Sequence, residues 1–319
     1  MSRVSPADGG VLDCVVVGAG PAGLTALTYL ARFRRKVVAL GGKGPRPRLT
    51  LIERSYNLPG YPEGIPGSVM LHRLREQAEE NGGIILDATA RSVEIEGRRF
   101  KITLSEGEPL HCRKVVLAMG VQDREPAIPG IDRHIGRFVR YCPICDGFEF
   151  SDKSLGIIGS GTSVARHALF LRTFSTEISI FLNGEDPDGL GKYSPMLKGC
   201  RIGVFPERIT AILEEEGAEG RIGCGVRLED GSEHRLAVLY AALGCDLHLE
   251  SVRHLPLKLD EDSFIITDIQ QETSVYGVYA AGDIVSQINQ IAVAFGQATI
   301  AAVHIHNTLD NESGAIPDL

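Results

Sequence analysis

The sequence predicts an α/β chain of two nucleotide-binding units, the second inserted into the first. Three observations carry this: an apolar strand runs into the turn Gly18-Ala-Gly20-Pro21-Ala22-Gly23, a second strand–turn junction opens at Leu155-Gly-Ile-Ile-Gly159-Ser-Gly161-Thr162-Ser163, and a late strand ends at Ala280-Ala-Gly282-Asp283. The architecture expected is two Rossmann-like domains of the three-layer ββα kind. The first comprises 1–120 and 246–319, and 121–245 is the insertion.

The first junction is a complete βαβ signal. Cys14-Val-Val-Val17 is a fully apolar strand, Leu24, Leu27, Leu30 and Ala31 mark one helix face, and Val37 to Leu40 is the next strand. Gly18 permits the tight turn, Gly20 lets the backbone approach a pyrophosphate, and Gly23 lets helix and strand pack closely. A bound dinucleotide is the consequence. The acidic residue that would hold a ribose hydroxyl is missing, replaced by Gly41-Gly42, so backbone groups of segment 41–48 are the expected substitutes.

Segment 84–117 reads as short alternating strands with polar turns, ending at Lys114-Val-Val-Leu-Ala118-Met-Gly120. In the second junction Val164, Ala168 and Leu171 share a helix face and Ile178 to Leu182 forms a strand. Val164 stands where a third glycine is usual, which predicts a wider helix–strand spacing. The last strand, from Val275, leads into an apolar helix over about Asn289 to Asn307.

Composition narrows the function classes. The chain has 319 residues, 43% hydrophobic and 23% charged, enough for two cores. A net charge of −8 leaves no basic footprint for nucleic acid; the cluster Arg32, Arg34, Arg35, Lys36 reads as the solvated end of a helix. There is no run of 18 apolar residues, and no apolar leader precedes the first strand, so no membrane association and a cytoplasmic location are expected. Seven cysteines with one close pair argue against a disulfide framework. Cys14, Cys112 and Cys245 are expected as small buried hydrophobes, while Cys200 and Cys224 receive no assignment.

The close pair is Tyr141-Cys142-Pro143-Ile144-Cys145-Asp146-Gly147. Cysteines at this spacing can close a disulfide on one helical turn, Pro143 suits the first helical position, and a helix N-terminus favours the thiolate that attacks disulfides. The anionic Asp146 opposes thiolate and is better suited to carrying a proton to and from a leaving sulfur. A zinc site would need two further ligands at similar spacing, and none is present. His304 and His306 lie on different sides of the last helix, which predicts a surface or dimer role rather than a shared metal. The tail from Asn311 is expected to be mobile.

Taken together and in this order, the Gly18–Gly23 turn, Cys142-Pro-Ile-Cys145-Asp146-Gly147, Gly159-Ser-Gly161 and Ala280-Ala-Gly282-Asp283 resemble the low-molecular-weight thioredoxin reductases over nearly the whole chain. The resemblance implies FAD in the first unit, with Asp283 on the ribityl chain, Asn289-Gln290-Ile291 at the isoalloxazine ring and Asn57-Leu-Pro59-Gly60-Tyr-Pro62 near it. It also implies Cys145 facing the flavin, Cys142 attacking a partner disulfide, Asp146 as acid/base, a homodimer, and a thioredoxin-like or other disulfide partner. The last helix, with its N-terminus near Asn289, would favour an anionic reduced flavin.

One part of that family's pattern is absent. NADPH-dependent members carry a His-Arg-Arg cluster after the second strand of the inserted domain; here the sequence is Phe181-Leu182-Asn183-Gly184, followed by Glu185, Asp186 and Asp188. Losing two charge-assisted hydrogen bonds at roughly 1.5–3 kcal/mol each weakens NADPH by about two to four orders of magnitude. NADPH is therefore not expected as the efficient reductant, and the electron donor stays open; NADH is harder to exclude, since Glu177 or Glu185 can reach toward a ribose hydroxyl. The departure is similar to diflavin-linked disulfide oxidoreductases, which implies a second FAD on Gly159, Gly161, Thr162 and Ser163. It is similar also to flavin dithiol oxidases that pass electrons to oxygen. A flavin-bound redox sensor without turnover is the third reading.

Overall fold

The computed structural model describes residues 10–42, 47–216, 222–286 and 288–313. The chain divides into two compact units. One takes the chain up to Thr50, Pro66–Gln122 and Leu247 onward; the other takes Leu51–Ile65 and Asp123–Asp246.

In the first unit, strands β1 (Leu12–Val17), β2 (Val37–Leu40) and β3 (Ile84–Leu86) pair in parallel, and β1 also pairs in parallel with β6 (Leu110–Leu117). Beyond β6 the sheet turns antiparallel through β5 (Arg99–Leu104) to β4 (Ala90–Glu96). The antiparallel strands alternate buried and exposed residues, whereas β1 and β2 are buried almost throughout, as a sheet covered on both faces requires. The late strand β17 (Val278–Ala280) returns to pair with β6. It is shorter than the run from Val275 suggests, because Val275 N–H bonds to its neighbour Thr273 Oγ1 instead of a ladder. Helices α1 (Pro21–Arg32), α2 (Gly67–Glu80) and α6 (Ile291–Ser313) complete the unit. Leu24, Leu27 and Leu30 of α1 share one core with Ala294, Ala298, Ala302, Ile305 and Leu309 of α6.

Strands β7 (Val121–Asp123) and β16 (Cys245–Leu247), where the chain passes between the two groups of segments, pair with each other. Cys245 is only half-buried there, so the expectation of a buried hydrophobe fails for it: a two-stranded ribbon has no second layer to cover it. Cys14 and Cys112 are fully buried.

The second unit has a five-stranded parallel sheet in the order β11 (Gly203–Phe205), β10 (Ile178–Phe181), β9 (Leu155–Gly159), β15 (Val238–Ala242), β8 (Val139–Arg140). Helices α3 (Pro143–Asp146), α4 (Gly161–Leu171) and α5 (Ser194–Gly199) follow its strands, and β12 (Ile209–Glu216), β13 (Ile222–Leu228) and β14 (Glu233–Leu236) form an antiparallel meander. Leu51–Ile65, which the sequence reading kept within 1–120, groups with this unit. Ser55 and Ile65 exchange two backbone hydrogen bonds that close the segment into a loop, and Glu53 lies 3.6 Å from Arg140.

Among the described residues no helix is long and apolar enough to cross a membrane, and no cluster of His, Cys, Asp or Glu is arranged to hold a metal.

Candidate active site

The turn after β1 is made by backbone approach. Gly18 has φ +113, and a Cβ there would stand 2.2 Å from the Ala118 carbonyl oxygen. A Cβ on Gly23 would stand 1.9 Å from the Gly18 carbonyl oxygen, so any side chain pushes α1 off β1. Gly20 is the N-cap of α1 with no side-chain cap and open space where a Cβ would sit, and Pro21 and Ala22 begin the helix. The first N–H groups of a twelve-residue helix thus meet a bare turn, a cradle suited to a pyrophosphate.

The late turn comes to the same place. A Cβ on Gly282, whose φ is +87, would lie 3.0 Å from the Ala22 methyl, and the Gly282 N–H bonds to Gln297 Oε1 at 2.8 Å. Gly18, Ala22, Ala118 and Gly282 therefore form one cluster, with Gly120 (φ +68) just beyond β6. Asp283 bonds to Arg48 Nη1 at 2.8 Å, each side chain about one-fifth exposed. Ile291 opens α6, two residues later than expected, because Asn289 takes a left-handed φ of +51. Among the described residues the Asn289 Oδ1 is buried without a hydrogen-bond partner, an acceptor left over for something that donates, while the neighbouring Gln290 side chain bonds to the Ile288 carbonyl. The bare helix end, a carboxylate with its arginine and a spare buried acceptor fit FAD, whose pyrophosphate, ribityl hydroxyls and ring N–H want those partners. Nothing in the sequence pattern marks Arg48 or Gln297; Arg48 ends segment 41–48, whose backbone groups are the expected ribose partners, and 43–46 lies outside the described residues.

Asn57 is grouped with the second unit. It lies in the Leu51–Ile65 loop of the second unit, where its Oδ1 accepts from Ser55 at 3.0 Å.

In the second unit Cys142 and Cys145 form a disulfide. Cys142 is the N-cap of α3, Pro143 takes the first helical position, and the Cys145 N–H donates to the Cys142 carbonyl at 3.0 Å. The local sequence sets this geometry: proline fixes the turn, and Gly147 leaves room for the Phe174 ring, 2.5 Å from where its Cβ would be. Asp146 follows the pair directly. It is buried, with Oδ2 accepting from Arg140 Nη1 at 2.8 Å and Oδ1 from the Tyr240 hydroxyl at 2.8 Å. Burial first, then the nearby Asp146, pushes the Tyr240 hydroxyl far above its usual range, so it acts as a donor. Neither Arg140 nor Tyr240 was found from sequence; each is recognisable only through its contact.

The second glycine turn pairs β9 with α4. A Cβ on Gly159 would meet the Ala242 carbonyl oxygen at 2.7 Å and Val164 Cβ at 3.3 Å, so a glycine at 159 makes room for the bulkier Val164. Gly161 has φ +65 and opens α4 with Thr162 and Ser163; Ser160 provides no side-chain cap. The segment Pro187–Tyr193 packs over this turn: a Cβ on Gly189 would be 3.6 Å from Gly161 Cα, and one on Gly191 3.7 Å from the Thr162 methyl. At the end of β10, Asn183 Oδ1 accepts from the Ile209 N–H, and the Arg208 guanidinium lies about 3 Å from where a Gly184 Cβ would be.

The sequence profile of the pyridine nucleotide-disulphide oxidoreductases matches residues 12–298. The chain belongs to that family. The oxidoreductase is 32% identical over 301 residues to the thioredoxin reductase of Mycolicibacterium smegmatis, covering 92% of this chain and 94% of the relative. The crystal structure of HlmI superposes with a TM-score of 0.86 at 29% identity, over 97% of this chain and 95% of HlmI. Thioredoxin reductase from Streptococcus pyogenes shares the fold, with a TM-score of 0.83 at 22% identity over 94% of this chain and 99% of that one. The oxidoreductase is thus a thioredoxin reductase-like, FAD-dependent enzyme with a two-domain Rossmann-like fold.

Proposed function

We propose that the enzyme exchanges electrons between FAD in the first unit and a disulfide or dithiol partner through Cys142 and Cys145, without efficient use of NADPH. Gly18, Gly20, Pro21, Ala22, Gly23, Ala118, Gly120, Gly282, Asp283, Gln290 and Ile291 hold the cofactor. FAD, when bound, supplies a two-electron carrier. In disulfide reduction Asp146 takes the proton of the Cys142 thiol, the Cys142 thiolate attacks the partner disulfide to form a mixed disulfide, and the partner's other sulfur leaves with the bonding electrons and receives that proton from Asp146. Cys145 thiolate then attacks Cys142, restoring the Cys142–Cys145 disulfide and releasing the second partner sulfur. A thioredoxin-like protein is the partner class, in a homodimeric cytoplasmic enzyme.

The observation that carries the dithiol assignment is the disulfide across one turn of α3 with a buried carboxylate directly after it. In Cys142→Ser, disulfide turnover should vanish with the flavin still bound; retained turnover overturns the assignment.

The second unit bears on the donor. Its loop after β10 offers Glu185, Asp186 and Asp188, with Arg208 beside Gly184, a balance that disfavours a 2′-phosphate. The turn at Gly159, Gly161, Thr162 and Ser163 is of the kind that takes a pyrophosphate, so a second FAD is a reading for it, although such a ligand must share the turn with Gly189. The same want of a basic cluster favours a second function, an oxidase that forms disulfides in small dithiols and passes the electrons to oxygen. Peroxide release with a dithiol substrate separates the two. Flavin quantitation decides between one and two FADs per chain.

A further inference from the structure

We propose that Arg140 and Tyr240 are positioning residues for Asp146, a two-sided clamp that fixes its carboxylate beside the dithiol. The proposal rests on the reading of Asp146 as the dithiol's proton carrier and extends it to the residues that make it work.

The clamp is built into the sheet. Arg140 and Tyr240 are opposed partners in the parallel β8–β15 ladder, so their side chains leave the sheet on the same face. They reach the two different oxygens of Asp146, each at 2.8 Å, and the carboxylate plane is thereby defined by two strands rather than by the short helix that carries it. Arg140 is itself held. Its Nε donates to the Arg137 carbonyl at 2.7 Å, its guanidinium lies 5.2 Å from the centre of the Phe150 ring, and Glu53 stands 3.6 Å away. Tyr240 is only 1% exposed and cannot swing away. The further charged group near Tyr240 is Glu149. A proton carrier must meet the sulfur at hydrogen-bond distance each cycle, and a carboxylate on a four-residue helix would otherwise be free to rotate.

The test is stopped-flow reaction of the two-electron-reduced holoenzyme with bis(2-hydroxyethyl) disulfide, whose alkyl thiolate must take up a proton as it leaves, with flavin absorbance recording the reaction and the retention of the cofactor. Asp146→Asn, Arg140→Met, Arg140→Lys and Tyr240→Phe are compared, with the double variants in the Asp146→Asn background. Arg140→Met and Tyr240→Phe are each expected to slow the reaction about ten-fold or more, Arg140→Lys to recover part of the loss, and neither to slow Asp146→Asn further. Wild-type rates in both single variants, or equal slowing with and without Asp146, overturn the clamp while leaving the reading of Asp146 intact. A wild-type rate in Asp146→Asn removes that reading and the clamp with it. Tyr240→Phe deletes a single oxygen from a packed ring, so it remains informative if Arg140→Met does not fold.

Discussion

Lys114 Nζ and Glu312 Oε1 meet at 2.8 Å, tying the last turn of α6 to the middle of β6. The lysine is 1% exposed, its ammonium 4.2 Å from the centre of the Tyr276 ring, and the same carboxylate accepts from Tyr276 and Arg113. Burial works against the charge on Glu312, but these donors outweigh it and hold the carboxyl down at about 2, from 4.5. Because the folded value is the lower one, the resulting stability is complete above 4.5 and is lost as pH falls toward 2. Glu312→Gln should therefore flatten the acid limb of a denaturation profile. At pH 7 it should cost about 1–3 kcal/mol, since the buried lysine loses its counter-charge; urea unfolding across pH checks both. Asn311–Ser313, the first residues of the tail expected to be mobile, thus continue α6; residues 314–319 lie outside the described residues.

The Arg48–Asp283 bond predicts a shared task in holding FAD. Asp283→Asn and Arg48→Met should each weaken retention about ten- to hundred-fold, the equivalent of one charge-assisted hydrogen bond. Fluorescence of flavin released on dilution measures this, and unchanged retention in both variants would remove the pair from the cofactor site.

Arg208 bears on the reductant. Anaerobic titration should show the flavin bleaching slowly with NADPH and promptly with a small dithiol. If NADPH does bleach it quickly, Arg208→Met tells whether this arginine has taken over the missing phosphate contacts: it would restore the slow rate, whereas an unchanged fast rate places the phosphate elsewhere.

Thiol labelling should divide the cysteines sharply. Burial pushes the Cys112 thiol up to about 12, and Cys14 is raised well above its ordinary value by burial first and by Cys112 next. Neither should react with iodoacetamide at pH 8 in the folded protein, while reduced Cys142 should be the first to react. Peptide mass spectrometry reads the order, and early labelling of Cys14 would mean that the β1–β6 layer opens.

The glycine turns, the βαβ order and the dithiol helix were legible because each is local: a strand, a bend and a helix face lie within a few dozen residues. Contacts between distant segments were not. The partners of Asp146 include Tyr240, 94 positions away, and nothing in the spacing marks that tyrosine. Spacing likewise does not mark the partners of the partly exposed His304 and His306: His304 bonds to the Tyr279 hydroxyl at 3.1 Å, and His306 stacks on Phe33 and bonds to Arg35. Arg35 in turn is paired with Asp310, so part of the basic cluster read as a solvated helix end is interior to the α1–α6 contact. The Leu51–Ile65 loop went to the second unit because its closing bridge and its Glu53–Arg140 approach are invisible in hydrophobic periodicity.

The return of β17 to β6 across the whole second unit also sets an order of events during synthesis. On the ribosome the five parallel strands from Val139 to Ala242 emerge together and can close upon themselves, while the earlier sheet waits for a strand and a helix that arrive some forty residues later. The half proposed to hold the vitamin-derived cofactor is thereby the last to be completed, and a nascent chain stalled before Val278 should be protease-resistant in its middle and digestible toward its start.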